Sequence, residues 1–357
     1  MKKITNIILV LAILSLHIKS QESGLTPPIL LASHSKTAEL NKHMVLKREV
    51  NLAINSQGYD LDFKQEKPTL SGKNYRIFSV KSNKEVSIDS IIEDMKNYDV
   101  LFYGEEHNDS VTHYLEKTIF EKMNVRFGSK IALSMEMFDR DVQPTMNEYL
   151  GGFIREKNFT KDARCWSNYR DYKPMVELAK EKKLDVICAN AAGRYTNLAG
   201  RKGQSALKNL PSASKNFFAP LPYDTAIGKY YEKLLEMSGH SLSPKKDTVM
   251  AKAPVMNMGS FNLIVAQSLW DATMAYSIAE YAKTHLKNKI MQVNGRFHSD
   301  QGFAVATQLK KYNPKLKSMI ISAGPDVSFP NIDWTKFTNL GNYIIITDPQ
   351  VAKTYKE

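Results

Sequence analysis

The apolar run "DVLFYG" (99–104) is followed at once by Glu105, Glu106 and His107. A second run, "KIALSMEMF" (130–138), encloses Glu136 among Leu133, Met135, Met137 and Phe138. His298 stands three residues beyond Gly295, where a third run, "KIMQVNG" (289–295), stops. Histidine with carboxylate ligands suits zinc, manganese, iron or cobalt. A divalent metal held by Glu105, His107, Glu136 and His298 would acidify a bound water, with Glu136 or Glu105 as general base. Glu136 is the most informative of these catalytic candidates. A charged carboxylate in such company is costly unless it is paired, protonated or metal-bound. The plain alternative is a buried ion pair, with Arg194 as the candidate partner.

Other residues have weaker claims. Asn108, Asp109 and Ser110 are good helix caps, so part of the polarity after His107 is capping. Glu105 and Glu106 can face solvent near a positive helix end. His113 lies six residues after His107, off the spacing that shares a helix face, and is expected outside the ligand set. Asp271, in "SLWDATMAY", shares a helix face with Gln267, Ala275 and Ile278, where it either bonds a site residue or caps a loop. Aromatic residues crowd at Trp166, Tyr169 and Tyr172, then at Phe217, Phe218, Tyr223, Tyr230 and Tyr231. Met237, Met250, Met256 and Met258 join them. Core packing explains such residues in most proteins. Beside a basic insertion that faces a cleft, they also suit a large flat apolar ligand. Haem is one, with Tyr or His as axial ligand and its propionates on Arg, Lys or a helix N-terminus. Arg194, Trp166, Tyr169, Tyr223 and Asp271 are the candidate cofactor-binding residues. GxGxxG, P-loop, GxSxG and HExxH motifs are absent.

The elements that must position these residues are short apolar runs alternating with helical stretches. "YRIFSV" is an alternating strand, and "SIDSIIEDMKNY" a helix with Ser87 as N-cap. Helices are expected near 111–124 and 141–150, over "PMVELAKEKK" with Pro174 in the first turn, at 301–311, and over about 261–286. "LDVICAN", "KSMIISAG" and "NYIIITD" complete the strands. This alternation predicts an α/β fold: a mostly parallel central sheet, helices on both faces, and a largely helical insertion over about 193–260. In such sheets the functional crevice lies beyond the carboxyl ends of the strands, where the candidate residues fall.

Composition narrows the setting. The chain has 357 residues, 43% hydrophobic and 24% charged. Met1-Lys2-Lys3 precedes an apolar stretch from Ile4 to Ile18, and residues 1–20 read as a signal peptide. That stretch is shorter than the roughly 20 residues of a membrane span. The first cysteine is Cys165, so the leader lacks a lipoprotein cysteine. Export to the periplasm or cell surface is the expectation. Residues 21–73 read as a partly ordered extension before the main domain at 74–357. The leader's three lysines account for part of the +12 net charge and leave +9, which suits an acidic ligand or an anionic surface. Nucleic acid fits poorly, since no dense basic stripe with interleaved aromatics is present. Cys165 and Cys188 are either a disulfide or two buried thiols, and CxxC zinc spacings are absent.

"DVLFYGEEHND", "IALSMEMFDRDVQPTMNEYL", "WSNYRDYKPMVELAKEKKLDVICANAAGR", "LWDATMAYSIAEY" and "VNGRFH" resemble the ChaN-like haem-binding uptake proteins, in order over about 75–325. That family belongs to the wider Tiki/erythromycin-esterase superfamily. The resemblance implies an α/β core, an exported or surface-attached protein, and haem binding linked to iron acquisition. An outer-membrane receptor or transporter is the implied protein partner, and haem sandwiched in a homodimer is one arrangement. The superfamily's glutamates and histidines map onto Glu105, His107, Glu136 and His298. Its Tiki branch implies metal-dependent proteolysis and its esterase branch hydrolysis, which is the alternative to haem uptake. The chain departs from the family pattern in "NAAGR", which lacks a proline, and in the bulky Arg296-Phe297 pair of "GRFH".

Overall fold

Residues 100–105 are buried along their whole length, and their side chains alternate between two separate cores. That is the signature of a strand covered on both faces. The computed structural model describes residues 70–237 and 262–355, all within a unit that runs from Pro68 to Glu357. The leader, nearly all of the extension, and Met250, Met256 and Met258 lie outside the described residues.

In chain order the described elements begin with β1 (Tyr75–Ser79), β2 (Lys84–Glu85), α1 (Ile88–Asp94), β3 (Val100–Glu105) and α2 (Ser110–Phe127). Then come β4 (Ile131–Asp139), α3 (Gln143–Leu150), α4 (Glu156–Asp162), α5 (Tyr169–Lys182) and β5 (Asp185–Asn190). The insertion holds α6 (Gly193–Lys202), two 3-10 turns and α7 (Gly228–Met237). The chain continues through α8 (Leu263–Thr284), β6 (Lys289–Gly295), α9 (Ala304–Tyr312), β7 (Ser318–Pro325) and β8 (Tyr343–Thr347). None of the described helices is long and apolar enough to cross a membrane.

The sheet order is β2-β1-β8-β7-β3-β6-β4-β5. β1 runs antiparallel to β2 and β8, and the remaining pairs are parallel. On one face Leu101 and Tyr103 pack with Leu115, Ile119, Phe120 and Val176. On the other, Val100 and Phe102 pack with Met274, Ile278, Val305 and Leu309. Each such side chain removed from water stabilises the fold by about 1.5–3 kcal/mol. The order places β6 between β3 and β4, so the ends of three strands that are distant in sequence become neighbours. Glu105 registers with Gly295 across β3 and β6.

Three local expectations change. Pro174 sits in the second turn of α5, because that helix starts at Tyr169. Ser87 precedes α1 but its side chain makes no capping bond. The helix expected at 301–311 begins at Ala304, after two 3-10 turns that carry His298 and Asp300. Both cysteines are free thiols, and Cys188 is buried in β5.

Candidate functional site

Gly104 lets the turn after β6 settle against the end of β3. A Cβ there would meet Ser299 Oγ at 2.7 Å and Arg296 Cα at 2.8 Å. The next residue, Glu105, is therefore drawn inside, with 1% of its surface exposed. Its Oε1 accepts from Tyr172 Oη at 2.7 Å and lies 2.9 Å from His107 Nδ1. Burial pushes the Glu105 carboxyl up, but His113 and His107 overrule it and hold it well below the usual carboxylate range. An ionised carboxylate only accepts, so His107 Nδ1 carries the proton toward it. The other ring nitrogen, Nε2, lies against Gly295, where an added Cβ would sit 2.7 Å away. Trp166, half-buried, meets the His107 ring edge-on at 5.3 Å. Burial lowers the His107 pKa, and the Glu105 hydrogen bond with the Glu136 charge more than reverses this.

His113 joins the site, against the sequence expectation. The helical spacing rule does not apply, because α2 starts only at Ser110 and residues 107–109 turn back into it. Asp109 caps that helix by accepting from the backbone N–H of Val111 at 2.8 Å. His113 Nε2 lies 3.1 Å from the His107 carbonyl oxygen, so it carries the donated proton. Its Nδ1 lies 3.1 Å from Glu105 Oε2 and 3.3 Å from Glu116 Oε2. Glu116 is fully buried. Burial and the Glu105 charge push its carboxyl well above the usual range, against the pull of His113. His113 and Glu116 stand three residues apart on one helix, and that spacing was the signal available in the sequence.

Glu136 lies where β4 breaks register with β5, between the pairs Met135–Cys188 and Asp139–Asn190. Such an irregularity re-aims a side chain. Glu136 Oε2 accepts from the Gly295 backbone N–H at 2.7 Å, and Oε1 lies 3.4 Å from His298 Nε2. Asp271 does bond a site residue: its Oδ1 is 2.6 Å from His298 Nδ1. Its Oδ2 accepts from the Tyr230 hydroxyl at 2.6 Å. Burial alone would lower the His298 pKa, but Glu136 and Asp271 raise it to about 10. In return His298 brings the Glu136 carboxyl below its ordinary value despite burial.

Arg194 is not the partner of Glu136. It is exposed and pairs with Asp141 Oδ2 at 2.5 Å, on the surface near Tyr195. Tyr223 is buried in the insertion, where its hydroxyl donates to the Val265 carbonyl at 2.9 Å. Tyr169 packs on Phe138 and Phe159. The structure therefore brings Glu105, His107, Glu136, His298 and Asp271 together beside Trp166, and gives Arg194, Tyr169 and Tyr223 other surroundings. The four residues read as metal ligands divide into two groups. Among the described residues, the donor atoms that converge as a metal-sized set are those of Glu105, His113 and Glu116.

Next to Tyr230 lies a cavity of about 350 Å³ bordered by Ala226, Ile227, Lys229, Phe303 and Ala304. Lys233 nearby holds its ammonium 4.8 Å from the Phe297 ring centre.

A family model for haem-binding uptake proteins, ChaN, of the Tiki superfamily matches residues 91–309. The chain belongs to this family. The structure of ChaN from Campylobacter jejuni, which describes cofacial haem binding, matches with TM-score 0.57 and 16% identity. The match covers 79% of this chain and 100% of that one. At that identity the likeness is one of fold. Two others match more loosely. The type III effector HopBA1 has TM-score 0.40 at 12% identity over 73% of this chain and 93% of its own. An erythromycin esterase mutant, EreC, in its open conformation has TM-score 0.39 at 10% identity over 77% and 83%. No curated protein matches the sequence.

Proposed function

We propose that this chain is an exported haem-binding protein of haem and iron uptake. Membership of the haem-uptake family across 91–309 carries the reading, since that span includes both histidine clusters and the insertion. The cavity beside Tyr230 supports it. Its open wall sets Ala226, Ile227, Tyr230, Phe303 and Ala304 beside the polar Asp224, Thr225, Thr307 and Gln308, with Ile227 82% exposed and the Tyr230 and Phe303 rings 6.5 Å apart. Lys229 on the same rim offers a cation for a propionate. Haem is the cargo in this reading, and a receptor or transporter of the outer membrane receives or supplies it. The basic and apolar leader over 1–20 supports export to the periplasm or surface.

A haem titration of the purified protein, followed by absorbance, tests the proposal. A saturable Soret shift is expected. Ile227→Asp should weaken binding by about 10–100-fold, the worth of one buried aliphatic side chain. An apoprotein whose spectrum ignores haem overturns the reading. Sedimentation with and without haem tests whether two copies close around the cargo.

One observation favours a hydrolytic second reading. Glu105 holds His107 Nδ1, which leaves Nε2 beside Gly295 as an oriented base. Glu136 and Glu105 suit that role less, because both Glu136 oxygens are engaged with Gly295 and His298, and Glu105, engaged at Oε1 with His107 and Tyr172, is buried with 1% of its surface exposed. Ester or peptide turnover that vanishes in His107→Gln supports this reading, and a wild-type protein without turnover removes it.

A further inference from the structure

The buried group Glu105, His113 and Glu116 is unfinished as a hydrogen-bonded network. His113 donates from Nε2 to the His107 carbonyl, so its Nδ1 alone faces two carboxylates, at 3.1 and 3.3 Å. A neutral ring would point a lone pair at both. One proton on Nδ1 answers only one of them. Glu105 Oε2 and Glu116 Oε1 are buried and accept no hydrogen bond, although Glu105 Oε2 is so close to the ring. Buried carboxylate oxygens without partners are rare and costly.

We propose that Glu105, His113 and Glu116 bind one divalent transition-metal ion. The donor set is one imidazole nitrogen and two carboxylates, which zinc, manganese and iron(II) accept. Ligand atoms around a tetrahedral centre with bonds of about 2.0–2.1 Å stand roughly 3.3 Å apart. The two separations at His113 Nδ1 match that spacing before any ion is added. The tautomer also matches. Metal-bound histidines usually donate their other ring N–H to a carbonyl or carboxylate, which fixes the ring, and His113 Nε2 does so. Metal ligation needs a free lone pair on His113 Nδ1 and ionised carboxylates, so binding weakens in acid. This site shares only Glu105 with the set read from the sequence. It stays distinct from the haem cavity, and either site can fail without the other.

The test uses the full chain, stripped with a chelator and dialysed against zinc or manganese, with elemental analysis. One ion per chain is expected. Glu116→Gln keeps the shape and removes a ligand, so affinity should drop by more than the roughly 10–100-fold that loss of an outer partner costs. Glu136→Gln should retain the ion. A wild-type protein that holds neither metal overturns the proposal, as does binding that survives Glu116→Gln at full strength. If Glu116→Gln does not fold, X-ray absorption of the wild-type complex decides. A light-atom shell with one imidazole supports the site. A shell with two imidazoles moves the ion to His107 and His298 and overturns it.

Discussion

His113 and His298 are both buried histidines facing two carboxylates whose charges raise the pKa of each ring, but the two rings differ in how many donors they give those acids. His298 gives each carboxylate its own ring nitrogen, Nδ1 to Asp271 and Nε2 to Glu136. Each acid has a second donor, Tyr230 on Asp271 and the Gly295 N–H on Glu136. His113 has spent Nε2 on a backbone carbonyl and offers both acids the same Nδ1. The residue types are nearly the same, but the number of available donors differs. A satisfied network holds an imidazolium and has no lone pair for a metal or a base. An unsatisfied one calls for a cation. Residue composition alone therefore does not separate an ion-pair network from a ligand set.

The largest test of the comparison is removal of one member of the satisfied cluster. Glu136→Ala leaves the His298 charge buried with one partner missing. Breaking a buried charged pair this way costs about 3–5 kcal/mol. Urea unfolding should show a midpoint shift of that size. A change under about 1 kcal/mol would mean that water, not Glu136, solvates His298.

pH sharpens the contrast. His298 in the folded chain has its pKa raised to about 10. The ordinary value is about 6.5. Its stabilising contribution is therefore complete below about pH 6.5 and is lost as pH rises toward the folded value. Glu136 has its pKa lowered, so its contribution is present above about pH 4.5, the ordinary carboxyl range, and falls away in acid. Stability from this cluster should be greatest between those limits and decline at up to about 1.4 kcal/mol per pH unit on the alkaline side. His298→Gln should flatten that limb relative to wild type. Equal slopes in the two proteins would show that His298 is not held as a cation.

Much of this arrangement was legible beforehand. Short apolar runs bounded by turns placed the strands, strand ends placed Glu105, His107 and His298, and Glu136 lay inside its run. Glu136 stood out because a charge inside "LSMEMF" needs a partner. The partner itself was not legible. Arg194 is nearer in sequence than His298, but β6 lies beside β4 in the sheet while α6 carries Arg194 out to Asp141. His113 was excluded by a spacing rule that assumes one continuous helix, and the turn at 107–109 removes that assumption. Tyr172 and Tyr230 read as core packing or as aromatics for a flat ligand, since only tertiary structure shows which carboxylate each hydroxyl meets.

Those two tyrosines give the smallest and most selective comparison. Tyr230 donates to Asp271 Oδ2 at 2.6 Å, and Tyr172 to Glu105 Oε1 at 2.7 Å. Both hydroxyls meet buried carboxylates, and a Phe substitution leaves each ring in place. Loss of a hydrogen bond to a charged group costs about 1.5–3 kcal/mol. Tyr230→Phe should pay this in full, because Asp271 Oδ2 then has no donor to replace it. Tyr172→Phe should cost less, about 0.5–1.5 kcal/mol, because His107 Nδ1 still donates to the same Glu105 oxygen. The variant also frees His107 Nδ1 from its 3.2 Å contact with Tyr172 and ties it to Glu105 alone. Chemical denaturation of the two variants reads the difference directly. If Tyr172→Phe is the costlier, Glu105 depends on the tyrosine rather than the histidine, and the account of His107 as an oriented base falls with it.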